Sequence, residues 1–338
     1  MRKKLLAGVM ALALCSTNMP PQTIFAGEFT SGNLEEVTEE TPEIFSDDNQ
    51  EVIEETEEEL SVFSSENVPE FSSEVNIMSA TADETEPIGI DMNDITNLNY
   101  YDSSKGIWKI TSAGSYRFNG TGNNDAPILI DHIDSGTVKV YLNNVNIHSA
   151  DRTPPLRITN TVHADVYIYL ESSNLLQSTY INSAALQIDG TTKLIIDNSP
   201  GTNGSLTANS SKHGTGIGSS GNSDLSPAFH IIIKGGAVTA SSFRSMGIGG
   251  NNSNITIKGG LVKVSSDQWC AIGGTKSNIT IDGGSVKASS RTHFGIKSSS
   301  LTINGGSVTA SSEEEPKEDI SSNQIIINGG SVKASSVS

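Results

Sequence analysis

Short runs of alternating apolar and polar residues recur along the C-terminal three-quarters of this 338-residue chain. In Asn254-Ile255-Thr256-Ile257 the two isoleucines fall on one side of an extended strand and Thr256 on the other. Val262-Lys263-Val264 alternates in the same way. These runs belong to a phrase, I-x-I-x-G-G-x-V-x-A-S-S, whose glycine pairs are Gly235-Gly236, Gly259-Gly260, Gly283-Gly284, Gly305-Gly306 and Gly329-Gly330. A second phrase lies between them, and its Ile248, Ile272, Ile296 and Ile320 stand 24 residues apart. Each repeat therefore holds three short strands joined by turns. One repeat cannot bury its apolar side chains alone, but stacked repeats bury them as continuous ladders. The spacing predicts one ladder of Ile231, Ile255, Ile279, Leu301 and Ile325, and another of Val238, Val262, Val286, Val308 and Val332. The glycine pairs supply positive φ at tight corners. Two residues are missing before Gly305 and are made up around Glu313 to Pro316, which places that insertion in a loop.

The preceding region carries the same pattern at a longer step. Val138, Val140 and Leu142 return as Val166, Ile168 and Leu170, then Leu194 and Ile196 follow; Leu156 and Ile158 return as Leu186 and Ile188. No stretch has helical spacing or length. The expected fold is all-β, a right-handed parallel β-helix of eight to nine coils of 22–31 residues, each coil adding about 4.8 Å. Residues 88–130 read as an N-terminal cap and first coil, 131–220 as long coils and 221–338 as short glycine-pair coils. Tyr100, Tyr101, Trp108, Tyr116 and Phe118 supply aromatic bulk for the cap. The sequence stops inside a repeat at Val332 to Ser336, which leaves a strand edge. End-to-end self-association at this C-terminal coil is one expectation; a frayed end or a fragment are the others.

Charge changes the picture at the other end. Residues 28–86 hold twenty acidic residues and neither Lys nor Arg, so they account for more than the whole net charge of −18. The remainder from 87 onward is nearly neutral, and a general field attracting nucleic acid is not expected. Low apolar content and like charge make 27–87 an acidic disordered linker. Residues 1–26 read as a signal peptide: basic Arg2-Lys3-Lys4, an apolar run from Leu5 to Cys15, and a small-residue cut at Ala26. That run is too short for a transmembrane span. Lipidation at Cys15 is the alternative. The expected location is secreted, extracellular or cell-surface associated. The mature chain keeps one cysteine, Cys270, so no internal disulfide is available.

Candidate chemistry is sparse. Hydrolases and lyases on such scaffolds need clustered acids on one outward face, and Asp165, Asp189, Asp197 and Asp282 do not share a coil position. Asp131 and Asp134 flank His132 and are the closest carboxylate pair of the early coils, with Asp125 upstream; they are the candidates for a metal. Turn formation in Asp-Ala-Pro and Asp-Ser-Gly corners is the simpler reading of them. The histidines lack zinc-site spacing. Gly214-Thr215-Gly216-Ile217-Gly218 lacks the lysine and following helix of a phosphate loop. Cys270 shares its position with Met246 and Phe294 and reads as packing. Lys263, Lys287 and Lys333 occupy one outward position, with Thr239 and Thr309, and form a basic stripe suited to an anionic polysaccharide or simply solvated. Tyr141 and Tyr169 fall one coil apart on the outward side, and Trp269 faces opposite Cys270. These three are the candidates for stacking on sugar rings.

One segment resembles a known family. Trp108 to Gly120, with Ile110-Thr111-Ser112-Ala113-Gly114-Ser115-Tyr116, followed by Val138 to Leu142 and Asn143 to Ile147, is similar to the opening of a carbohydrate-binding β-helix family of clostridial secreted proteins. The likeness covers roughly 95–220, with Asn144 where the family phrase has Gly. The Ile-Gly-Gly repeats resemble those of Firmicutes cell-surface proteins. The resemblance implies a polysaccharide-lyase-like fold, binding of plant-wall polysaccharide including acidic, pectin-like sugars, and calcium. The expected function is polysaccharide binding without catalysis. A lyase or hydrolase of acidic plant-wall glycans, and a structural spacer or adhesin, are the alternatives. If there is a site, the longer coils are where it is expected.

Overall fold

The computed structural model describes residues 86–120, 126–220, 228–314 and 318–335. The expected signal peptide, nearly all of the acidic linker, Cys15 and Asp125 lie outside the described residues. What is described is a parallel β-solenoid with three faces and no helix.

Face one begins with Ile107–Ile110, Ile128–Ile130, Leu156–Ile158 and Leu186–Ile188 and continues through Ile217–Gly218, Ile248–Gly249 and Ile272–Gly273. Face two runs Ile88–Asp91, Gly114–Asn119, Thr137–Asn143, Asp165–Leu170, Lys193–Asn198, His230–Ile233, Asn254–Ile257 and Asn278–Ile281. Face three starts at Asn146–Ser149 and passes through Ser173–Ser178, Ser205–Ser210, Ala237–Ser242, Leu261–Ser266, Ser285–Ser290 and Ser307–Ser312 to Ser331–Ala334. The strands Ile296–Ile303 and Ile320–Ile327 each serve faces one and two without a break. The two residues missing before Gly305 are therefore taken from the corner between those faces, which straightens. With these strands face two has ten members, so the solenoid makes about ten turns rather than eight to nine.

The excess lies at the start, where Ile88–Asp91 and Gly114–Asn119 pair in parallel as full rungs. Trp108 and Phe118 are buried in the interior and meet edge to face at 6.4 Å. Tyr101 packs on Trp108 from the antiparallel strand Tyr101–Asp102, which pairs along Ile107–Ile110 and occupies the outer edge of face one. The largest excess over the expected coil length is on face two, where Ile196 pairs with Ile233 rather than with a residue about thirty positions on.

Both predicted ladders are in register. Ile231, Ile255, Ile279, Leu301 and Ile325 are successive partners, as are Val238, Val262, Val286, Val308 and Val332. All but the two members in the last coil are buried. The second glycine of each pair carries the positive φ, at 83, 82, 81, 82 and 85° for Gly236, Gly260, Gly284, Gly306 and Gly330. Gly247 is needed for another reason. A Cβ there would lie 2.3 Å from a methyl of Val264 and 2.8 Å from the carbonyl oxygen of Ser265, because faces one and three converge at this corner.

The serine pair that ends the repeat phrase splits by parity. The second serine points inward, as Ser210, Ser242, Ser266, Ser290 and Ser312, and all are buried. Ser266 Oγ donates to Ser245 O at 2.7 Å and accepts from Trp269 N at 3.0 Å; Ser290 Oγ does the same with Trp269 O and His293 N. These two hydroxyls thus satisfy backbone groups that the corner leaves unpaired and tie that corner to the one below, whereas Ser312 Oγ is buried without a partner. The first serine points outward.

Candidate functional site

Outward positions of face two form the tyrosine ladder. Arg117, Tyr141, Tyr169 and Asp197 are successive partners. The rings of Tyr141 and Tyr169 stack at 4.9 Å, and Tyr167 lies beside Tyr169 at 5.9 Å. Arg117 sits over Tyr141 at 5.4 Å and reaches Glu171 with Nη2 at 3.0 Å, while Lys234 sits over Tyr167. One face of Tyr141 is covered by the guanidinium and the other by Tyr169. The column therefore presents ring edges and hydroxyls rather than open ring faces. Burial, together with Tyr141, Tyr167 and Asp197 and against Lys139, holds the Tyr169 hydroxyl above its ordinary pKa, so it stays a phenol.

Asp131 is part-buried at the corner between faces one and two. Its Oδ1 accepts from Thr159 Oγ1 at 2.8 Å and Thr161 Oγ1 at 2.9 Å, and its Oδ2 lies 2.7 Å from His132 Nδ1 and 3.8 Å from Lys109 Nζ. Burial pushes its pKa up, but the bonds from Thr159, Thr161 and His132 outweigh it and leave the carboxyl below its ordinary value. Asp134 is exposed. Calcium needs six or more oxygen ligands converging on one point. Asp131 has both oxygens engaged beside an ammonium, and no group of three or more His, Cys, Asp or Glu converges among the described residues. Asp131 and Asp134 as arranged do not fit a calcium ion.

Trp269 lies half-buried on the corner after face three, with His293 at 4.9 Å and Lys297 over its ring at 5.4 Å. Its indole N–H is buried without a hydrogen-bond partner. Cys270 beside it is fully buried, which pushes the thiol up to about 12 and leaves it a packing residue.

The third outward surface is the most extended. Thr207, Thr239, Lys263, Lys287, Thr309 and Lys333 are successive partners along face three, and the three lysines are exposed. Two positions on, Asn209, Ser241, Ser265, Ser289 and Ser311 form a parallel ladder. The backbone ladder continues just past the strands, through Phe243, Asp267, Arg291 and Glu313, which stand up as a wall. Between ladder and wall runs a groove of about 490 Å³. Arg291 pairs with both oxygens of Asp267 and with Glu314 Oε1, so three coils are clipped together at the wall. The same guanidinium holds Asp267 below the ordinary carboxylate range.

The lysine, tyrosine and tryptophan candidates thus fall on separate surfaces; the lysines share face three with the groove but are not among its lining residues. Sequence reasoning missed the serine floor and Phe243, and it expected a site in the early coils. The available signal was parity: the first serine of each pair has the same outward sense as the lysine two residues before it.

Comparison with known families agrees with the β-helix fold and points to a binding class. Residues 104–195 match a family model described as carbohydrate-binding domain-containing protein, and residues 231–252 and 301–312 match one described as beta helix repeat. No curated protein and no solved structure matches the chain. Asn144, where the resembled phrase has Gly, takes φ 55°, a conformation open to both residues. The chain is a parallel β-solenoid with segments similar to beta helix repeats and an early segment similar to a carbohydrate-binding domain-containing protein.

Proposed function

We propose that this is a secreted, non-catalytic protein that binds an extended polysaccharide along face three, with a pectin-like acidic polymer the favoured class. The observation that carries the reading is the groove floored by one polar side chain per coil from Asn209 to Ser289, a ladder that continues to Ser311. A serine hydroxyl can both donate and accept, and Ser241 Oγ already donates to Asn209 Oδ1 at 2.8 Å, leaving its oxygen to accept. Successive coils set these groups about 4.8 Å apart, a step close to the length of one pyranose unit. A linear glycan laid along the axis would meet a fresh hydroxyl at each sugar, and Phe243 offers an exposed aromatic edge. Lys263 and Lys287, exposed two positions before Ser265 and Ser289 on the same outward face, favour a polymer carrying carboxylates. General acid catalysis needs a carboxyl that keeps its proton near neutral pH. Asp267, in the groove, is shifted the other way.

The test is binding of the full chain to pectin, cellulose and host glycans, with Ser265→Tyr and Ser289→Tyr as variants that fill the groove. The expected result is binding to at least one polymer, weakened about tenfold or more by each variant, as expected when a group that cannot reproduce the hydroxyl's bonds is inserted. Failure to bind any polymer sinks the proposal. Release of reducing or unsaturated ends, abolished by Asp131→Ala, would replace it with the enzymatic reading.

A further inference from the structure

The wall of the groove changes character along its length. At Arg291 the guanidinium is neutralised by Asp267 and Glu314. Nearer the N-terminal end of the solenoid, the same wall carries Lys212, His213 and Arg244, and among the described residues no carboxylate pairs with any of the three. These residues line a pocket of about 410 Å³ together with Ile181, Ser211 and Phe243. Ser211 and Phe243 also line the groove, so the two concavities are continuous.

The pocket is built rather than accidental in its geometry. Arg244 N donates to Lys212 O at 3.0 Å, which brings the two cations onto neighbouring rungs. Arg244 Nη1 lies 3.3 Å from His213 Nε2, and its guanidinium sits 5.6 Å over the Phe243 ring, so the fork is held from two sides. Ile181 and Phe243 remain 49% and 41% exposed, large values for apolar side chains, and they form the pocket's apolar lining. A planar guanidinium beside an ammonium suits a group with two or three anionic oxygens.

We propose that this pocket is a subsite for an anionic substituent of the bound glycan: a carboxylate, sulfate ester or phosphate ester carried by the polymer. It rests on the polysaccharide reading above. It assigns charge recognition to one end of the groove, while the serine ladder contacts the uncharged backbone. The glycan is thereby given a register, because its charged group docks where the wall cations are unpaired.

The test compares the full chain with a Lys212→Gln/Arg244→Gln double variant. The probes are cellulose-derived glucan in neutral hydroxyethyl, carboxymethyl, sulfate and phosphate forms, and polygalacturonate against its methyl ester. The expected result is that at least one anionic form binds about tenfold more tightly than its neutral counterpart, the scale of one charge-assisted hydrogen bond. The double variant loses that excess and keeps the neutral affinity. The three glucan esters and ethers tell carboxylate from sulfate from phosphate. An excess that survives in the double variant overturns the subsite and moves charge recognition to Lys263 and Lys287. Equal binding of charged and neutral forms by the unaltered chain also overturns it, while leaving the polysaccharide reading intact. Binding of neither form sinks both.

Discussion

The early and late coils solve the same problem by different means. In the early coils corners are individual: His132, Asn144 and Asn182 each adopt positive φ, and local side chains such as Thr159 and Thr161 stitch one coil to the next. In the late coils the corners are nearly identical, built from glycines that close contacts demand and serines that fill the backbone's hydrogen bonds. Repetition has a consequence for the outer surface. Identical corners put identical groups in line, and a straight hydroxyl-floored groove follows. Irregular corners produce local clusters such as the tyrosine column, packed against their own neighbours.

The largest effect expected from this contrast is at Gly247. Gly247→Val drives a side chain into Val264 and the Ser265 carbonyl, so a loss of about 3 kcal/mol is expected. The early-coil counterpart is Asn144→Gly. It gives up the bond from Asn144 Nδ2 to Gly120 O at 3.1 Å but relieves the cost of a side chain at positive φ, so a change below about 1 kcal/mol is expected. Chemical denaturation of both variants checks the pair. Equal losses would mean that the late corners are not closed by close packing.

A smaller effect separates the two serines of one repeat. Ser266→Ala leaves the Trp269 N–H and the Ser245 carbonyl unsatisfied in a buried corner, and about 1–3 kcal/mol is expected to be lost. Ser265→Ala removes an outward hydroxyl and is expected to stay within about 0.5 kcal/mol in stability, while weakening glycan binding. If Ser265→Ala is the more destabilising of the two, the inward and outward roles are reversed.

The same parity explains what was legible in the sequence. Interior ladders such as Val238 to Val332 depend only on period and alternation, and both survive in the one-dimensional pattern. The coil count was short because Ile88–Asp91 and Gly114–Asn119 precede the repeats, and the aromatics from Tyr100 to Phe118 make this stretch read as a cap. That error also hid Arg117, which belongs to the rung below Tyr141 and covers its ring. The two tyrosines were correctly placed on adjacent rungs, but what filled their ring faces was decided by a neighbour 24 residues away. The groove was missed because a serine carries no signal of its own. Its outward sense becomes visible only once the corner is known to turn after the second serine.

The smallest effect concerns acid, and it has opposite signs in the two regions. Asp131, in the early coils, has its pKa held below the ordinary 3.8, because bonds from Thr159, Thr161 and His132 together outweigh burial. A depressed folded-state pKa contributes stability that is present above the unfolded value and is lost as pH falls through the folded one. Asp319, in the late coils, is raised above 3.8 by burial, against a bond from the Ser312 backbone N–H. Its contribution is fully present below the unfolded pKa and is lost as pH rises through the folded one. Stability measured against pH should therefore change in two ways on amide substitution. The advantage of the unaltered chain over Asp131→Asn should shrink on acidification through the carboxylate range, and its advantage over Asp319→Asn should grow. Parallel profiles for the two variants would show that hydroxyl bonding in the early corner does not outweigh burial, and the electrostatic difference between the two kinds of corner would disappear.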